Sequence, residues 1–271
     1  MKRTLIAGPW VGEFGWELFA WQAYLRSLST KFEKTIVISR SNSAALYEDF
    51  ADEFVVFDPP DGLADAFFMH GFNPNIALRD ILKDNNINLD SSVALLLPRR
   101  FGYPPQTDYL EEIQIGAHGV VPKYIQFGKP NTESYDYVFH IRNRQLRKED
   151  NWSLKNWEIL AELLGSDKVA CIGTTTESAI IPRATDLRGT PLNKVFNLLR
   201  NAKATFGPSS GPMHLASLCG CPHVVWSRKE NFLRYTRTWN PLGTPVLFDS
   251  NHSWHPTPEY IYTEFTKWRE A

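Results

Sequence analysis

Short apolar runs and longer helical stripes alternate along the chain from its first residues. Thr4 to Ala7 is an apolar run of strand length, followed by a glycine-rich loop over residues 8–15. Leu18, Trp21, Leu25 and Leu28 then recur at helical spacing, which predicts a helix over 16–29 with one apolar face. Residues 34–39 read as a second strand, 42–50 as a short helix, and 53–57 as a third strand running into Asp58-Pro59-Pro60-Asp61-Gly62. A helix over 76–83, a buried-type strand over 93–97 and a loop over 101–106 complete the first half. Strands that alternate with helices argue for parallel βαβ units.

Residues 122–135 shift to Pro, Gly, Asn, Ser and Lys, as an interdomain connection would. A second series follows: a strand at 135–141, a polar loop at 142–152, and a helix capped by Ser153 whose apolar face is Trp157, Leu160, Ala161 and Leu164. A strand at 169–172 ends in Gly173-Thr174-Thr175-Thr176-Glu177. Thr190 as cap and Pro191 as first residue predict a helix with Leu192, Val195, Phe196 and Leu199 on one face. Residues 204–206, 207–211, 212–218 and 222–226 read as strand, small-residue turn, helix and strand. A polar and aromatic loop at 228–244, a strand at 245–248 and a terminal helix from about 256 to 270 close the chain. The expected organisation is two α/β, Rossmann-like domains facing a cleft, at 1–128 and 129–255, with 256–271 a helix packing back on the N-terminal domain.

Composition narrows the function classes. The chain has 271 residues, with 29 basic against 30 acidic side chains, so a polyanion would have to be met by a local patch. No run approaches transmembrane length, and Met1-Lys2-Arg3 leads straight into a strand without a signal peptide's apolar region, so the expected location is cytoplasmic. Cys171, Cys219 and Cys221 form no zinc-type pair, and Cys219-Gly220-Cys221 is too close for an easy disulfide. No metal-ligand cluster is legible, and the expected cofactor is none.

Local chemistry concentrates at 203–227. A strand that ends in Gly207-Pro208-Ser209-Ser210-Gly211 and enters a helix leaves backbone N–H groups and two hydroxyls at a helix N-terminus, where the dipole favours negative charge. The same residues also suit an ordinary βα turn capped by Ser210. Arg142, Arg144, Arg147 and Lys148 crowd another βα loop, where guanidinium groups suit a diphosphate and where Glu149 and Asp150 could equally balance a solvated run. His140 at a strand end reads as a core histidine bonded to backbone.

These features together resemble the C-terminal domain of GT-B glycosyltransferases, most closely the heptosyltransferase-like family that uses ADP-heptose. The resemblance spans about 136–245. It rests on His140-Ile141-Arg142-Asn143-Arg144 before Trp152-Ser153-Leu154-Lys155-Asn156-Trp157, on Gly173 and Glu177 after a later strand, and on residues 207–216, which are similar to the signature G-x-D-[ST]-G-P-x-H-L-A. It implies a metal-independent transfer from a nucleotide sugar to an acceptor hydroxyl, inverting if a base acts directly. Arg142, Arg144, Ser209, Ser210, Gly211 and His214 would meet the diphosphate, and Glu177 the ribose. Glu13, after Gly12 in the first loop, matches the family's aspartate base, with helix capping as its alternative and Glu17 as the next candidate. Ser209 stands where the family has aspartate, which removes a charge from the donor site. The expected partners are a nucleotide sugar and a glycan or lipopolysaccharide-like acceptor. Alternatives are a modified base in nucleic acid, for which Arg99-Arg100 and Arg228-Lys229 are the basic groups, and a non-catalytic nucleotide or polyanion binder. Arg234, Tyr235 and Arg237 fall in a loop that the family uses near the donor.

Overall fold

The computed structural model describes residues 3–10, 12–58, 74–98, 120–132, 134–145, 147–165 and 167–271. Two compact units divide the chain, Met1–Lys123 and Tyr124–Ala271. The 101–106 loop, Arg99-Arg100 and residues 59–62 lie outside the described residues.

In the first unit, β1 (Thr4–Ala7), β2 (Lys34–Ser39), β3 (Glu53–Val56) and β4 (Val93–Leu96) form a parallel sheet in the order β3-β2-β1-β4. Ile6, Ile36, Ile38 and Val55 meet Leu78, Ile81 and Leu82 of the helix Pro74–Asp84 to build its core. The chain leaves β1 at Gly8, whose φ is 123° and whose N–H reaches the Leu96 carbonyl at 2.9 Å. A Cβ there would strike the Ile38 carbonyl oxygen, so only glycine lets the loop cross the neighbouring strand end.

The helix expected over 16–29 begins earlier, at Phe14, and contains a π segment at Glu17–Trp21 before Gln22–Ser29. Polar residues on it are buried with partners. Arg26 grips both oxygens of Asp49 at 2.6 and 2.9 Å and reaches the Leu46 carbonyl at 3.0 Å. The short helix expected over 42–50 is a 3-10 helix at Ser41–Leu46.

The second unit holds six parallel strands: β5 (Tyr137–Phe139), β6 (Val169–Cys171), β7 (Thr185–Asp186), β8 (Ala204–Pro208), β9 (His223–Trp226) and β10 (Val246–Asp249). Their order is β10-β9-β8-β5-β6-β7. The chain builds outward from β5 through β6 to β7, returns to the centre at β8, and builds outward the other way. That is the 3-2-1-4-5-6 order of a doubly wound nucleotide-binding sheet, and its switch point lies between β5 and β8. Ligands of such sheets bind beyond the carboxyl ends of the two switch strands. Here those ends are His140 to Arg144 and Ser209 to Gly211.

Both faces of the sheet are covered, and all five residues of β8 are buried. On one side Phe139, Trp157, Trp152 and Trp226 form a tilted aromatic cluster with centroids 4.8–5.3 Å apart for the pairs in contact. Ser153 caps the helix Leu154–Leu164 by accepting from the Asn156 N–H, as its position in the sequence predicts. For the helix Leu192–Asn201 the cap position is Pro191, one residue beyond the expected Thr190. The terminal helix Pro258–Glu270 places Ile261 and Phe265 in this same core, with Phe265 4.8 Å from Phe206 and 5.9 Å from Tyr137. Residues 256–271 therefore belong to the second unit, where the sequence reading had them packing back on the first.

Replacing Phe265 by Ala should cost about 3–5 kcal/mol, the usual loss for a buried aromatic ring. Urea unfolding of the second unit's signal measures it, and a loss below about 1 kcal/mol would mean that the terminal helix is dispensable to that core.

Candidate functional site

The switch-point site is tied together by one side chain from each strand end. His140 follows β5 and donates its backbone N–H to the Phe206 carbonyl at 3.0 Å. Its ring Nδ1 lies 2.8 Å from Ser210 Oγ, and its Nε2 lies 3.4 Å from Ser178 Oγ. The histidine is therefore bonded to two hydroxyls, not to backbone as the sequence reading had it. Burial, followed by the like charges of Arg142 and Arg144, holds its pKa down at about 3, so the ring is neutral.

Gly173 makes the second of these contacts possible. Its φ is 126°, and a Cβ would land on Ser178 Oγ and press the His140 ring at 3.1 Å. A glycine after β6 thus lets residues 174–178 fold back against His140. The resulting loop also donates and accepts along the β5 extension: the Asn143 N–H reaches the Glu177 carbonyl and the Ala179 N–H the Ile141 carbonyl, both at 2.8 Å.

Ser210 stands at the N-cap position of the helix Gly211–Cys219, yet its side chain makes no capping hydrogen bond. Its hydroxyl is committed to His140 instead, so the plain capped-turn reading does not describe this turn. In the first turn Pro212 has no N–H and the His214 N–H reaches the Ser210 carbonyl at 3.0 Å, so the uncapped donors of this helix end are those of Gly211 and Met213. Ser209, Ser210 and Gly211 are all half-buried at that end.

Tyr235 fastens the turn from behind. Its hydroxyl accepts from the Ser210 N–H at 3.1 Å and donates to Ser209 Oγ at 3.2 Å, and burial pushes its pKa up. The ring stacks on His214 with centroids 4.1 Å apart. His214 sits in the first helical turn, buried between Tyr235 and Trp239, and burial, then Arg234 and His223, hold it neutral. The ring packs against both aromatics, beneath the half-buried turn of Ser209 and Ser210.

The two arginines behave differently. Arg142 is 5% exposed, lies 3.7 Å from the buried carboxylate of Asp150 and stacks over Trp254 at 5.4 Å. Arg144 is 17% exposed and its Nε lies 3.6 Å from Glu177 Oε1. Asn151 holds the Arg144 backbone from both sides, accepting from its N–H at 3.2 Å and donating to its carbonyl at 2.8 Å. The structure so brings Arg144 and Glu177 together, and makes Asp150 a buried partner where a solvated charge run was the alternative. Arg147 and Lys148 are exposed. Among the described residues, no group of three or more His, Cys, Asp or Glu side chains is arranged as metal ligands.

In the first unit, Glu13 occupies the N-cap position before Phe14, half-buried, and its side chain makes no capping bond. Glu17, the next candidate, is fully buried. Its carboxylate accepts from Ser39 at 2.6 Å, Tyr47 at 2.7 Å and Ser43 at 2.9 Å, and meets Arg40 at 3.3 Å. Such a carboxylate is structural. Arg40 also donates to the Gly12 carbonyl, which pins the residue beside Glu13.

No protein-family profile and no curated protein sequence matches the chain. Solved structures do. A glycosyl transferase of family 9 from Veillonella parvula is similar over 100% of this chain and 98% of its own, at 13% identity and a TM-score of 0.64. The E. coli ADP-heptose lipopolysaccharide heptosyltransferase II is similar over 99% and 100%, at 13% identity and 0.62. An iron-containing dodecameric glycosyltransferase, TibC, from enterotoxigenic E. coli is similar over 92% of this chain and 63% of its own, at 20% identity and 0.50. Among the described residues, no helix is long and apolar enough to cross a membrane. Along its length the chain has the fold of these glycosyltransferases, two Rossmann-like units with parallel sheets.

His140 gives the site a pH signature. Its folded pKa of about 3 lies below the ordinary 6.5, so its contribution to stability is complete above about pH 6.5 and is lost as pH falls toward 3. Replacing His140 by Asn should flatten the pH dependence of unfolding between pH 6 and 4 by about 1.4 kcal/mol per pH unit relative to the wild type. Urea titrations across that range read the difference, and identical slopes would mean the ring is not buried neutral.

Proposed function

We propose that the chain is a glycosyltransferase that takes a nucleoside-diphosphate sugar and moves the sugar to an acceptor hydroxyl of a glycan or lipopolysaccharide-like molecule. The observation that carries this reading is the His140–Ser210 bond across the switch point, which joins a cationic loop to an uncapped helix N-terminus. The diphosphate binds at Ser209, Ser210 and Gly211, where two hydroxyls, the Gly211 N–H and the helix dipole favour an anion, the Ser209 and Ser210 N–H groups being given to the Trp226 carbonyl and the Tyr235 hydroxyl. Arg144, partly exposed beside that end, supplies the cation, and Arg142 adds charge from behind. Glu177, 3.6 Å from Arg144, accepts from a ribose hydroxyl of the donor nucleoside. The resemblance in the signature and the likeness to a heptosyltransferase support an ADP-sugar as donor.

In the reaction, the acceptor O–H proton passes to Glu13 as the acceptor oxygen bonds to the anomeric carbon. The bond from that carbon to the diphosphate oxygen breaks, and the nucleoside diphosphate leaves with the electron pair. Direct attack by a deprotonated hydroxyl inverts the anomeric centre. The positive helix end and Arg144 stabilise the leaving charge, so the transfer runs without a metal. Ser209, in place of an aspartate, lowers the negative charge around the phosphates, which suits a site short of cations.

Thermal unfolding with ADP, GDP, UDP and ADP-heptose tests the donor site: a true ligand at 100 times its dissociation constant adds about 2.7 kcal/mol. Absence of any shift would overturn the reading. Arg144→Ala should weaken the stabilising nucleotide about tenfold, the value of one charge-assisted bond. Glu13→Gln should leave that affinity intact and lower turnover by about 10²–10⁴. Unchanged turnover would remove Glu13 as the base, and nucleotide binding without turnover of any donor would leave a binding protein. Activity should survive chelation by EDTA, whereas loss and recovery with added metal ion would overturn metal independence.

A further inference from the structure

The direction of the hydrogen bonds around His140 decides what Ser210 can offer a ligand. A neutral imidazole has one N–H and one acceptor nitrogen. Two polarities fit the distances of 2.8 Å to Ser210 and 3.4 Å to Ser178. In one, the Ser210 hydroxyl donates to Nδ1 while Nε2–H donates to Ser178, which leaves only lone pairs of Ser210 facing outward. An anion at the helix end would be repelled by them. In the other, Ser178 donates to Nε2, Nδ1–H donates to Ser210 Oγ, and the Ser210 proton is free to turn toward the helix N-terminus. Only the second puts a donor where negative charge is expected.

We propose that His140 is a positioning residue for the donor diphosphate: held as its Nδ1–H tautomer by the Ser178 hydroxyl, it donates to Ser210 Oγ and turns the Ser210 proton toward the anion. The inference rests on the diphosphate reading of this site. The geometry is built for it. Gly173 is the residue that admits Ser178 against the ring, since any side chain there would occupy the Ser178 hydroxyl's place. Tyr235 fixes the Ser210 backbone through its N–H at 3.1 Å, so the hydroxyl rotor is the remaining freedom in the turn. Burial and the neighbouring Arg142 and Arg144 keep the ring neutral, so one ring nitrogen donates and the other accepts, and Nε2 as the acceptor is met by the Ser178 hydroxyl.

Calorimetric titration of the full chain with ADP, GDP, UDP, CDP and inorganic diphosphate, on a double-mutant cycle of His140 and Ser210, tests the relay. His140→Leu and Ser210→Ala should each weaken the best-binding probe by about tenfold or more, the worth of a hydrogen bond to a charged group. The double variant should bind no more weakly than Ser210→Ala alone, because the histidine acts only through that hydroxyl. His140→Asn, whose amide can replace the Nδ1 donor, should bind within about threefold of the wild type. Nitrogen-15 NMR of the unliganded protein should find His140 protonated at Nδ1 and bare at Nε2, a readout that survives if the leucine variant fails to fold. Additive losses in the cycle, a protonated Nε2, or wild-type affinity in His140→Leu would overturn the relay and leave the donor site standing. Failure of the wild type to bind any of the five probes would overturn both.

Discussion

Pairing of β5 with β8 is the constraint from which the second unit follows. The two strands lie side by side at the centre of the sheet although some sixty-seven residues separate Val138 from Thr205, whose hydroxyl donates to the Val138 carbonyl at 2.7 Å. Once they are adjacent, β6 and β7 can only extend the sheet one way and β9 and β10 the other, since each right-handed crossover needs a free edge. β8 runs to Pro208, two residues past Phe206, the register partner of the last β5 residue Phe139, so the loops after the two strands leave the sheet side by side. The polar site is thus a product of topology, with His140 and Ser210 as the side chains that meet there.

The chemistry at that meeting point is one of restricted donors. Arg142 is drawn inward by Asp150 and Trp254, His214 is packed by Tyr235, and His140 is neutral. What remains directed outward is a small set of hydroxyl and backbone groups plus the partly exposed Arg144. In the proposed reaction, such fixed dipoles are what would stabilise the departing diphosphate. The first unit shows the same economy. Glu17, fully buried, has its oxygens taken up by three hydroxyls and Arg40, and Arg40 in turn donates to the Gly12 carbonyl beside Glu13.

Features set by neighbours in sequence were legible without coordinates. The alternation of β-prone runs and helical stripes gave both sheets their strands apart from β7, and Ser153 was readable as a cap because its partner Asn156 is three residues away. The 207–211 turn was readable as a helix entry for the same reason. Contacts between distant residues were not. His140 looked like a core histidine because its partner Ser210 lies 70 residues on. Tyr235, 25 residues past Ser210, carried no local sign of its bonds to the turn. The π segment has no local signature, since Leu18, Trp21, Leu25 and Leu28 fit an α-helix equally well. The terminal helix was assigned to the other unit because an apolar face does not say which core it faces.

The second sheet has two edge strands, β10 and β7. β7 is only two residues long, both exposed, and Arg188 folds back to bind Asp186 through two nitrogens at 2.7 and 2.8 Å. A row of open backbone groups at a sheet edge is a template for another chain, and length is what makes it dangerous. Here the edge offers almost no such row, and a fixed ion pair stands across it. Along its β7 edge the sheet therefore exposes little open backbone with which another chain could pair while it folds.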